Sequence, residues 1–281
     1  MTHPMFNLTG KVAVVSGAAQ GMGKATSIAM AEAGADVFMI DRNLEGAEIT
    51  AATVRELGRR GIAVGTDVSD PEAIREMFQQ VDSEFGRVDF LGNIAGEGHL
   101  AAPEDLTTEA LVSVLNSLVI GRFTMCQEAG RRMLAQGRGS IMNISSLAGV
   151  TGMGRGHIAY TMAMHAVAGM TRELSTEWSG RGVRVNAVLP AQVRNPHLEL
   201  RMADDPTLED RFVAGIPAGR MGVPDDIKGL VVLLASDASE WITGTLIPMD
   251  GGNIAMNAGG SPGHMQHKVQ SDFNKNWAGP K

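Results

Sequence analysis

Short apolar runs alternate along the chain with longer segments in which apolar residues recur at helical spacing. Continuous apolar runs are typical of strands that are buried on both faces of a sheet. The runs predict strands over residues 12–15, 35–40, 62–66, 88–96, 140–145, 183–188 and 245–248. The segments between them predict helices over residues 22–33, 44–58, 71–85, 108–135, 157–179 and 224–236.

This alternation contains no linker, so it predicts one α/β domain: a doubly wound parallel sheet with helices on both faces, in three layers. The domain is expected to cover residues 1–254, with an irregular and partly charged lid at about residues 191–217. Residues 255–281 are rich in Gly, Asn, His and Met without periodicity. That composition predicts a loop, or an arm that reaches a neighbouring subunit.

A glycine-rich turn joins the first strand to the first helix. Gly17, Gly21 and Gly23 have the spacing G-x-x-x-G-x-G, and Gln20 and Met22 lie between them. Such glycines allow a tight bend, let the backbone approach a pyrophosphate and let the helix pack against the strand. The free N–H groups of the first helical turn bind anions. The motif predicts a dinucleotide site; an ordinary βα loop is the alternative, because glycine-rich turns alone are weak signals.

The end of the second predicted strand carries a carboxylate. Asp41 follows Gly23 by 18 residues, the separation at which an acidic side chain accepts hydrogen bonds from an adenosine ribose. A carboxylate there repels a 2′-phosphate, so the sequence favours NAD over NADP. The neighbouring Arg42 softens that preference, because its positive charge attracts a phosphate.

The composition and the charge of the chain argue against several classes of protein. Of the 281 residues, 44% are hydrophobic, and the formal net charge is −7, which argues against a nucleic-acid surface. No uninterrupted apolar run is long enough to span a membrane, and the N-terminus lacks a signal-peptide pattern. The lone Cys126 rules out an intrachain disulfide and fits a reducing compartment. We expect a soluble cytoplasmic protein without a metal site.

The candidate reacting group lies between the fifth strand and the next helix. Ser145 and Ser146 end the strand, and Tyr160, the only tyrosine of the chain, lies on the helix. A lone tyrosine is most often a packing residue with a satisfied hydroxyl, and that alternative stays open on these residues alone.

Over roughly residues 7–254 the chain resembles the short-chain dehydrogenase/reductase family. The matching pieces are residues 16–23, Asp41, Asp67 with Val68, residues 93–96, residues 143–146, Tyr160, residues 184–190 and residues 249–252. The resemblance implies a single Rossmann-type domain, a small-molecule substrate and a homo-oligomer, usually a tetramer or dimer.

The resemblance also implies which residues hold the nucleotide. Asp67 and Val68 would contact the adenine, and Pro190 to Val193 would hold the nicotinamide. The candidate NAD site consists of Gly17, Gln20, Gly21, Met22, Gly23, Asp41, Arg42, Asp67, Val68, Asn93, Ala95, Gly96, Tyr160, Pro190 and Val193.

The family uses an Asn, Ser, Tyr and Lys tetrad, which this chain matches in part. By the resemblance, Ser146 fixes the substrate oxygen and Tyr160 exchanges a proton with it. The lysine position, one helical turn after Tyr160, holds Met164, and the asparagine position holds Leu118. Removing a cation beside a phenol is worth about 1.4–4 kcal/mol, or roughly 10- to 1000-fold in a rate that needs phenolate.

Histidine and arginine side chains near the candidate site offer substitutes. His157 lies three residues before Tyr160, on the same helical face if the helix has begun there, and can move protons near neutral pH. A solvated histidine at the helix start is the alternative. Arg155, Arg194, His197 and Arg201 suggest a polar or anionic substrate, although a charged lid is more often simply solvated.

These residues are compatible with two functions. The favoured one is an NAD(H)-dependent oxidoreductase that interconverts a secondary alcohol and a ketone, with Ser146, Tyr160 and His157 as catalytic candidates. The alternative is an NAD-binding protein that performs non-redox chemistry, such as elimination or a retro-aldol reaction, or only binds. The alternative is motivated by Leu118 and Met164, and the favoured function by the retained Ser–Tyr pair.

Overall fold

Seven parallel strands form one sheet in the order β3-β2-β1-β4-β5-β6-β7. The structure is a computed structural model that describes residues 3–256. The strands are β1 (Val12–Ser16), β2 (Asp36–Asp41), β3 (Gly61–Gly65), β4 (Phe90–Asn93), β5 (Gly139–Ile144), β6 (Val183–Pro190) and β7 (Leu246–Met249). The predicted single α/β domain with a doubly wound parallel sheet is confirmed.

The helices cover both faces of this sheet. They are α1 (Gly21–Glu32), α2 (Leu44–Glu56), α3 (Pro71–Phe85), α4 (Thr108–Leu115), α5 (Arg122–Gln136), α6 (Ile158–Trp178), α7 (Pro196–Asp204), α8 (Leu208–Val213) and α9 (Lys228–Ala235). Helices α1, α2 and α9 pack on one face and α3, α5 and α6 on the other, which gives the three predicted layers.

Alternating side chains of β1 show why its apolar run is continuous. Ala13 and Val15 belong to the core cluster under α1, whereas Val14 belongs to the cluster under α3 and α5. Successive residues of a strand point to opposite faces, so a strand covered on both sides needs apolar residues at every position.

The strand order reverses between β1 and β4, because β2 and β3 lie on one side of β1 and the later strands lie on the other. Open parallel sheets bind ligands in the crevice outside the carboxyl ends of the strands at such a reversal. The crevice here is bordered by the glycine-rich turn after β1 and the segments that follow β4 and β5.

Two predicted segments differ from the observed elements. The long helix over residues 108–135 is interrupted by a π-helical segment, Asn116–Gly121, between α4 and α5. The lid, predicted as irregular, contains α7 and α8. Asn195 caps α7 by accepting a hydrogen bond from the Leu198 amide at 3.0 Å, and a proline occupies its first turn, which is a local helix signal.

The remaining elements differ from prediction mainly at their ends. β6 continues to Pro190, two residues beyond the predicted strand, and a 3₁₀ turn, Pro224–Ile227, precedes α9. Only residues 255 and 256 of the predicted tail lie within the described residues, so the proposed intersubunit arm stays a prediction.

One helical stretch, Thr108–Gln136, has the length and mean hydropathy of a membrane span. The core helix of a soluble protein passes the same test. Met125 and Met133 of this stretch are fully buried against the sheet and α3. Part of the stretch therefore belongs to the core of the domain, and the cytoplasmic location stays a prediction.

We predict that Gly121→Ala destabilises the fold. A Cβ at Gly121 would overlap the carbonyl oxygen of Val68, and relieving such a clash costs about 1–3 kcal/mol. The melting temperature should fall by roughly 2–4 °C for each kcal/mol in a chain of this size. Thermal unfolding measures the effect.

Gly169→Ala is the matched control. Gly169 lies inside α6, is exposed and has no atom within 4 Å of an added Cβ. Alanine there should stabilise the helix by about 1 kcal/mol. Equal melting temperatures for Gly121→Ala and the unsubstituted protein would contradict the packing argument.

Candidate active site

The turn after β1 has a shape that only glycine permits. Gly17 has φ of 72° and Gly21 has φ of 55°, both in the left-handed region. A Cβ at Gly23 would overlap the carbonyl oxygen of Gly17, so α1 begins directly against the turn. The arrangement leaves backbone exposed to a ligand at the carboxyl end of β1.

The start of α1 offers free hydrogen-bond donors. Gln20 is its N-cap residue, and its side chain makes no capping hydrogen bond. The first-turn amides of a helix have no partner within the helix, and together with the helix dipole they attract an anion. The turn therefore fits the pyrophosphate of a dinucleotide.

Asp41 lies beside this turn at the end of β2. Its carboxylate accepts hydrogen bonds from the amides of Ala19, at 3.0 Å, and Asn43, at 2.9 Å. The adjacent Arg42 forms an ion pair with Glu97 at 2.9 Å, and the hydrogen bond that Arg42 donates to Glu97 raises the pKa of Arg42. Arg42 is therefore paired with Glu97, which lies in the segment after β4.

Asp67 and Val68 follow β3 at the same edge of the sheet. The amide of Ser69 donates a 2.8 Å hydrogen bond to Asp67, which lowers the pKa of that carboxyl group. Val68 is buried, and its carbonyl oxygen lies against Gly121. The structure thus brings both residues to the border of the crevice; their contact with adenine stays a prediction.

The segment after β4 is tied to the end of β1. The hydroxyl oxygen of Ser16 accepts hydrogen bonds from the amides of Ile94, at 2.9 Å, and Ala95, at 3.1 Å. The side chain of Asn93 is buried and donates to Asn143 at 3.1 Å, so it points into the core. Its predicted role in lining the nucleotide would therefore fall to its backbone.

Six of the predicted site residues line one cavity of about 350 Å³ at this edge of the sheet. Its lining includes Met22, Ser146, His157, Tyr160, Pro190 and Val193. A larger cavity of about 970 Å³ lies at the opposite edge, beside Lys11 and Arg184, and is lined by none of the predicted site residues.

Ser146 and Tyr160 carry the hydroxyl groups of this cavity. The Ser146 oxygen accepts a 3.2 Å hydrogen bond from the amide of Ala148, which holds it at the start of a short turn after β5. Tyr160 is half-buried, and within residues 3–256 its hydroxyl has no hydrogen-bond partner. Both hydroxyls are available to a ligand.

His157 is the N-cap residue of α6, so the helix begins one residue after it. Its ring lies edge-on to the Tyr160 ring, with the centroids 6.2 Å apart. Its Nδ1 atom lies 3.1 Å and 3.0 Å from the carbonyl oxygens of Gly154 and Arg155. Because carbonyls only accept, Nδ1 carries the hydrogen, and Nε2 of the neutral ring is left as a base.

Comparison with known proteins shows the family to which this architecture belongs. A family profile described as enoyl-(acyl carrier protein) reductase matches residues 17–253. D-threitol dehydrogenase from Mycolicibacterium smegmatis is 41% identical over 249 residues, covering 88% of this chain and 94% of that protein. The chain belongs to the short-chain dehydrogenase/reductase family.

Other members of the family are similar to this chain over nearly their whole length. A 2-dehydro-3-deoxy-D-gluconate 5-dehydrogenase from Bacillus subtilis is 38% identical, covering 89% of this chain and 97% of that protein. The solved structure of NAD⁺-bound xylitol dehydrogenase is 30% identical with a TM-score of 0.83, covering 87% of this chain and 99% of that one. Solved relatives also hold NADP.

Beside Tyr160, this member of the family has an apolar wall. Met164 and Leu118 are buried with Val114, Ala163 and the Tyr160 ring in one cluster. The Leu118 side chain also fills the space that a Cβ on Gly96 would need. No proton-carrying side chain occupies the position one turn after Tyr160.

A buried cation, Arg122, was not among the residues that the sequence predicts for the site. Its guanidinium donates to the carbonyl oxygens of Ile144, Ile94 and Ala95, at the ends of β5 and β4. Burial lowers its pKa to about 10, and a favourable interaction with Tyr160 opposes that shift. An arginine within the otherwise apolar stretch before Cys126 was the available signal.

Cys126 is excluded as a nucleophile. It is fully buried, and burial raises its pKa to about 12. Because the thiolate is the reactive form of cysteine, such a group is inert at neutral pH.

We predict that Ellman's reagent reacts with the folded protein at least about a thousandfold more slowly than with free cysteine. After denaturation the reagent should titrate one thiol per chain, since the sequence contains one cysteine. Rapid reaction in the native state would show that the thiol is accessible and its pKa is not raised.

Proposed function

We propose that the protein is an NAD-dependent oxidoreductase that interconverts a secondary alcohol and a ketone. The observation that carries the proposal is the meeting of two hydroxyl groups, Ser146 and Tyr160, in one cavity with Met22 of the glycine-rich turn and Val193. A binding module would need the turn, but not this pair of hydroxyls.

The side chains divide the work in the proposed reaction. Ser146 donates a hydrogen bond to the substrate oxygen and orients it. Tyr160 gives a proton to that oxygen in reduction and takes it in oxidation. NAD, when bound, supplies the hydride donor or acceptor. His157, whose Nε2 is free to accept, is the proposed base that relays the proton to solvent.

The coenzyme preference is part of the proposal. Asp41 places a carboxylate beside the glycine-rich turn. Arg42 forms an ion pair with Glu97 at 2.9 Å and is therefore already bound to a carboxylate. A 2′-phosphate would therefore meet negative charge without a free arginine, which favours NAD over NADP. Calorimetry should show tighter binding of NAD⁺ than of NADP⁺; the reverse order would contradict the role of Asp41.

The departures from the family tetrad motivate the second candidate function. We infer that Met164 and Leu118 stand where the family has lysine and asparagine, which would slow a reaction that depends on phenolate. A bound coenzyme would then accompany non-redox chemistry such as elimination. Coenzyme binding without any change in reduced-nicotinamide absorbance over a panel of alcohols and ketones would favour this candidate.

We predict that Tyr160→Phe lowers kcat by about 100- to 10,000-fold, the usual contribution of a positioned acid or base. The loss arises because phenylalanine keeps the ring but removes the proton donor. NAD⁺ binding, measured by calorimetry, should change far less. The absorbance of reduced nicotinamide measures turnover, and an unchanged kcat would remove Tyr160 from the mechanism.

A histidine pair provides the matched control. His157→Gln should lower kcat and strengthen its dependence on buffer concentration, because without the relay the proton must pass directly between Tyr160 and a buffer molecule. His165 lies on the same helix, is exposed and bonds through Nδ1 to the Thr161 carbonyl at 3.0 Å. His165→Gln should leave kcat unchanged; equal effects of the two substitutions would rule out a specific role for His157.

A further inference from the structure

The candidate cavity has the opposite charge from the chain as a whole. The formal net charge of the protein is −7, yet among residues 3–256 no aspartate or glutamate lines the cavity. It contains two arginines, Arg155 and Arg201, and two histidines, His157 and His197. The cavity is therefore the place where an acidic protein presents positive charge to a ligand.

Arg155 is held in this cavity by an unusual turn. Gly154, Arg155 and Gly156 have φ values of 62°, 59° and 73°, and Arg155 is the one non-glycine with positive φ among residues 3–256. A non-glycine residue in this conformation costs roughly 1–2 kcal/mol. Such strain concentrates at functional sites. The Arg155 guanidinium lies over the Phe212 ring, 5.3 Å from its centroid.

The two arginines of the cavity are not neutralised by any carboxylate in the described part of the chain. Burial lowers the pKa of Arg155, and repulsion from Arg201 and Arg211 lowers it further. Arg211 forms an ion pair with Asp205. Within residues 3–256, neither Arg155 nor Arg201 has a carboxylate partner. Two unpaired guanidinium groups that repel each other are stabilised when an anion binds between them.

We propose that Arg155 and Arg201 bind an oxyanion, a carboxylate or phosphate, on a substrate whose reacting carbon lies at Ser146 and Tyr160. The inference rests on the proposed function and names its substrate class: small hydroxy or oxo acids, or their phosphorylated counterparts. The cavity of about 350 Å³ has room for about twelve water-sized groups of about 30 Å³ each.

Matched pairs of compounds test this proposal. D-Glycerate and glycerol 3-phosphate are each compared with glycerol, and D-gluconate with D-glucitol. Calorimetry in the presence of NAD⁺ measures binding, and nicotinamide absorbance measures turnover. At least one anion should bind tenfold or more tightly than its neutral partner, and the better of the two glycerol derivatives identifies carboxylate or phosphate.

Arg155→Gln and Arg201→Gln should each weaken anion binding by about 10- to 100-fold, because each removes a charge-assisted hydrogen-bond donor. Binding of the neutral partners should not change. Arg172→Gln is the control: it removes the same charge from the exposed face of α6, outside the cavity.

The outcomes separate this proposal from the proposed function. Turnover of neutral compounds with no anion preference, or an anion preference that survives both substitutions, overturns the oxyanion site and leaves the oxidoreductase intact. Anion binding that depends on both arginines, without any nicotinamide reduction, supports the site and counts against the oxidoreductase. No binding of any anion overturns the site.

A different observation concerns the buried Arg122. Its side chain is 3% exposed, its Nε atom has no hydrogen-bond partner, and within residues 3–256 it has no carboxylate partner. A buried charge without a counter-ion is costly and is rare unless it has a function. The guanidinium lies between the ends of β4 and β5, which lead to Gly96 and Ser146.

The surroundings of Arg122 strengthen its effect on Tyr160. Leu118 and Met164 keep this side of the ring apolar and buried, and charges interact more strongly where water is excluded. The Arg122 guanidinium borders Gly96, and the Tyr160 ring borders Gly98, two residues further along the same segment. Arg122 is thus a cation placed where it favours the phenolate form.

We propose that Arg122 is a positioning residue that supplies, from α5, the positive charge that the family supplies from the position of Met164. The proposal rests on the proposed function of Tyr160 as acid and base. It has a readout that does not require turnover, because the chain contains a single tyrosine. The ultraviolet absorbance of phenolate therefore reports the ionisation of Tyr160 alone.

Substitution of Arg122 tests this role. In Arg122→Met, the pH midpoint of the phenolate absorbance should move upward by roughly one to three pH units, since a neighbouring cation is lost. The rise of kcat with pH should move with it. Arg122→Lys, which keeps the charge, should restore most of the original midpoint, whereas a merely structural role would leave the midpoint unmoved in every folded variant.

Met164→Lys completes the experiment, and as a single substitution it does not depend on the folding of Arg122→Met. In the otherwise unchanged protein it should alter kcat less than about threefold, because the cation is already present. Combined with Arg122→Met it should restore the phenolate midpoint. A strong rise in activity from Met164→Lys alone overturns the role of Arg122, as does an unmoved midpoint in folded Arg122→Met.

Discussion

The contact between the first turn of α1 and the end of β1 determines where everything else in the crevice lies. The Gly17 carbonyl occupies the space that a side chain on Gly23 would need, so the helix begins directly at the strand end. Its free amides and its dipole then face the reversal point of the sheet. Ser16, in the same strand end, holds the segment after β4 through the amides of Ile94 and Ala95.

Local signals in the sequence were sufficient for the elements that depend on local physics. Strands, helices and the glycine-rich turn are encoded by residues close together in the chain, and their predicted order and layers are confirmed. The helix α7 was missed although Asn195 and Pro196 carry an ordinary helix-start signal. The π-helical segment was not predictable, because its apolar pattern is the same as that of the α-helices beside it.

The candidate site shows where sequence reasoning stops. Ser146, Tyr160 and His157 were proposed together and share one cavity, because each lies at an element end facing the same edge of the sheet. Arg122 could not be placed in the same way. Its side chain reaches from α5 to the ends of two strands, a tertiary contact that no spacing along the chain reveals. In the sequence, the positive charge of the cavity could be recognised only as a group of basic residues, without their positions around a common cavity.

Arginine suits the role of a buried cation better than lysine in this position. Burial lowers the pKa of Arg122 to about 10, so the side chain stays protonated at neutral pH. A lysine has a lower ordinary pKa than an arginine, so the same burial would leave it a smaller margin above neutral pH. The two terminal nitrogens of the planar guanidinium donate to three backbone carbonyls at the ends of two strands, a spread of acceptors that the compact ammonium group of a lysine could reach less completely. A cation supplied from α5, as proposed, would let the position one turn after Tyr160 be apolar while a positive charge is kept beside the phenol.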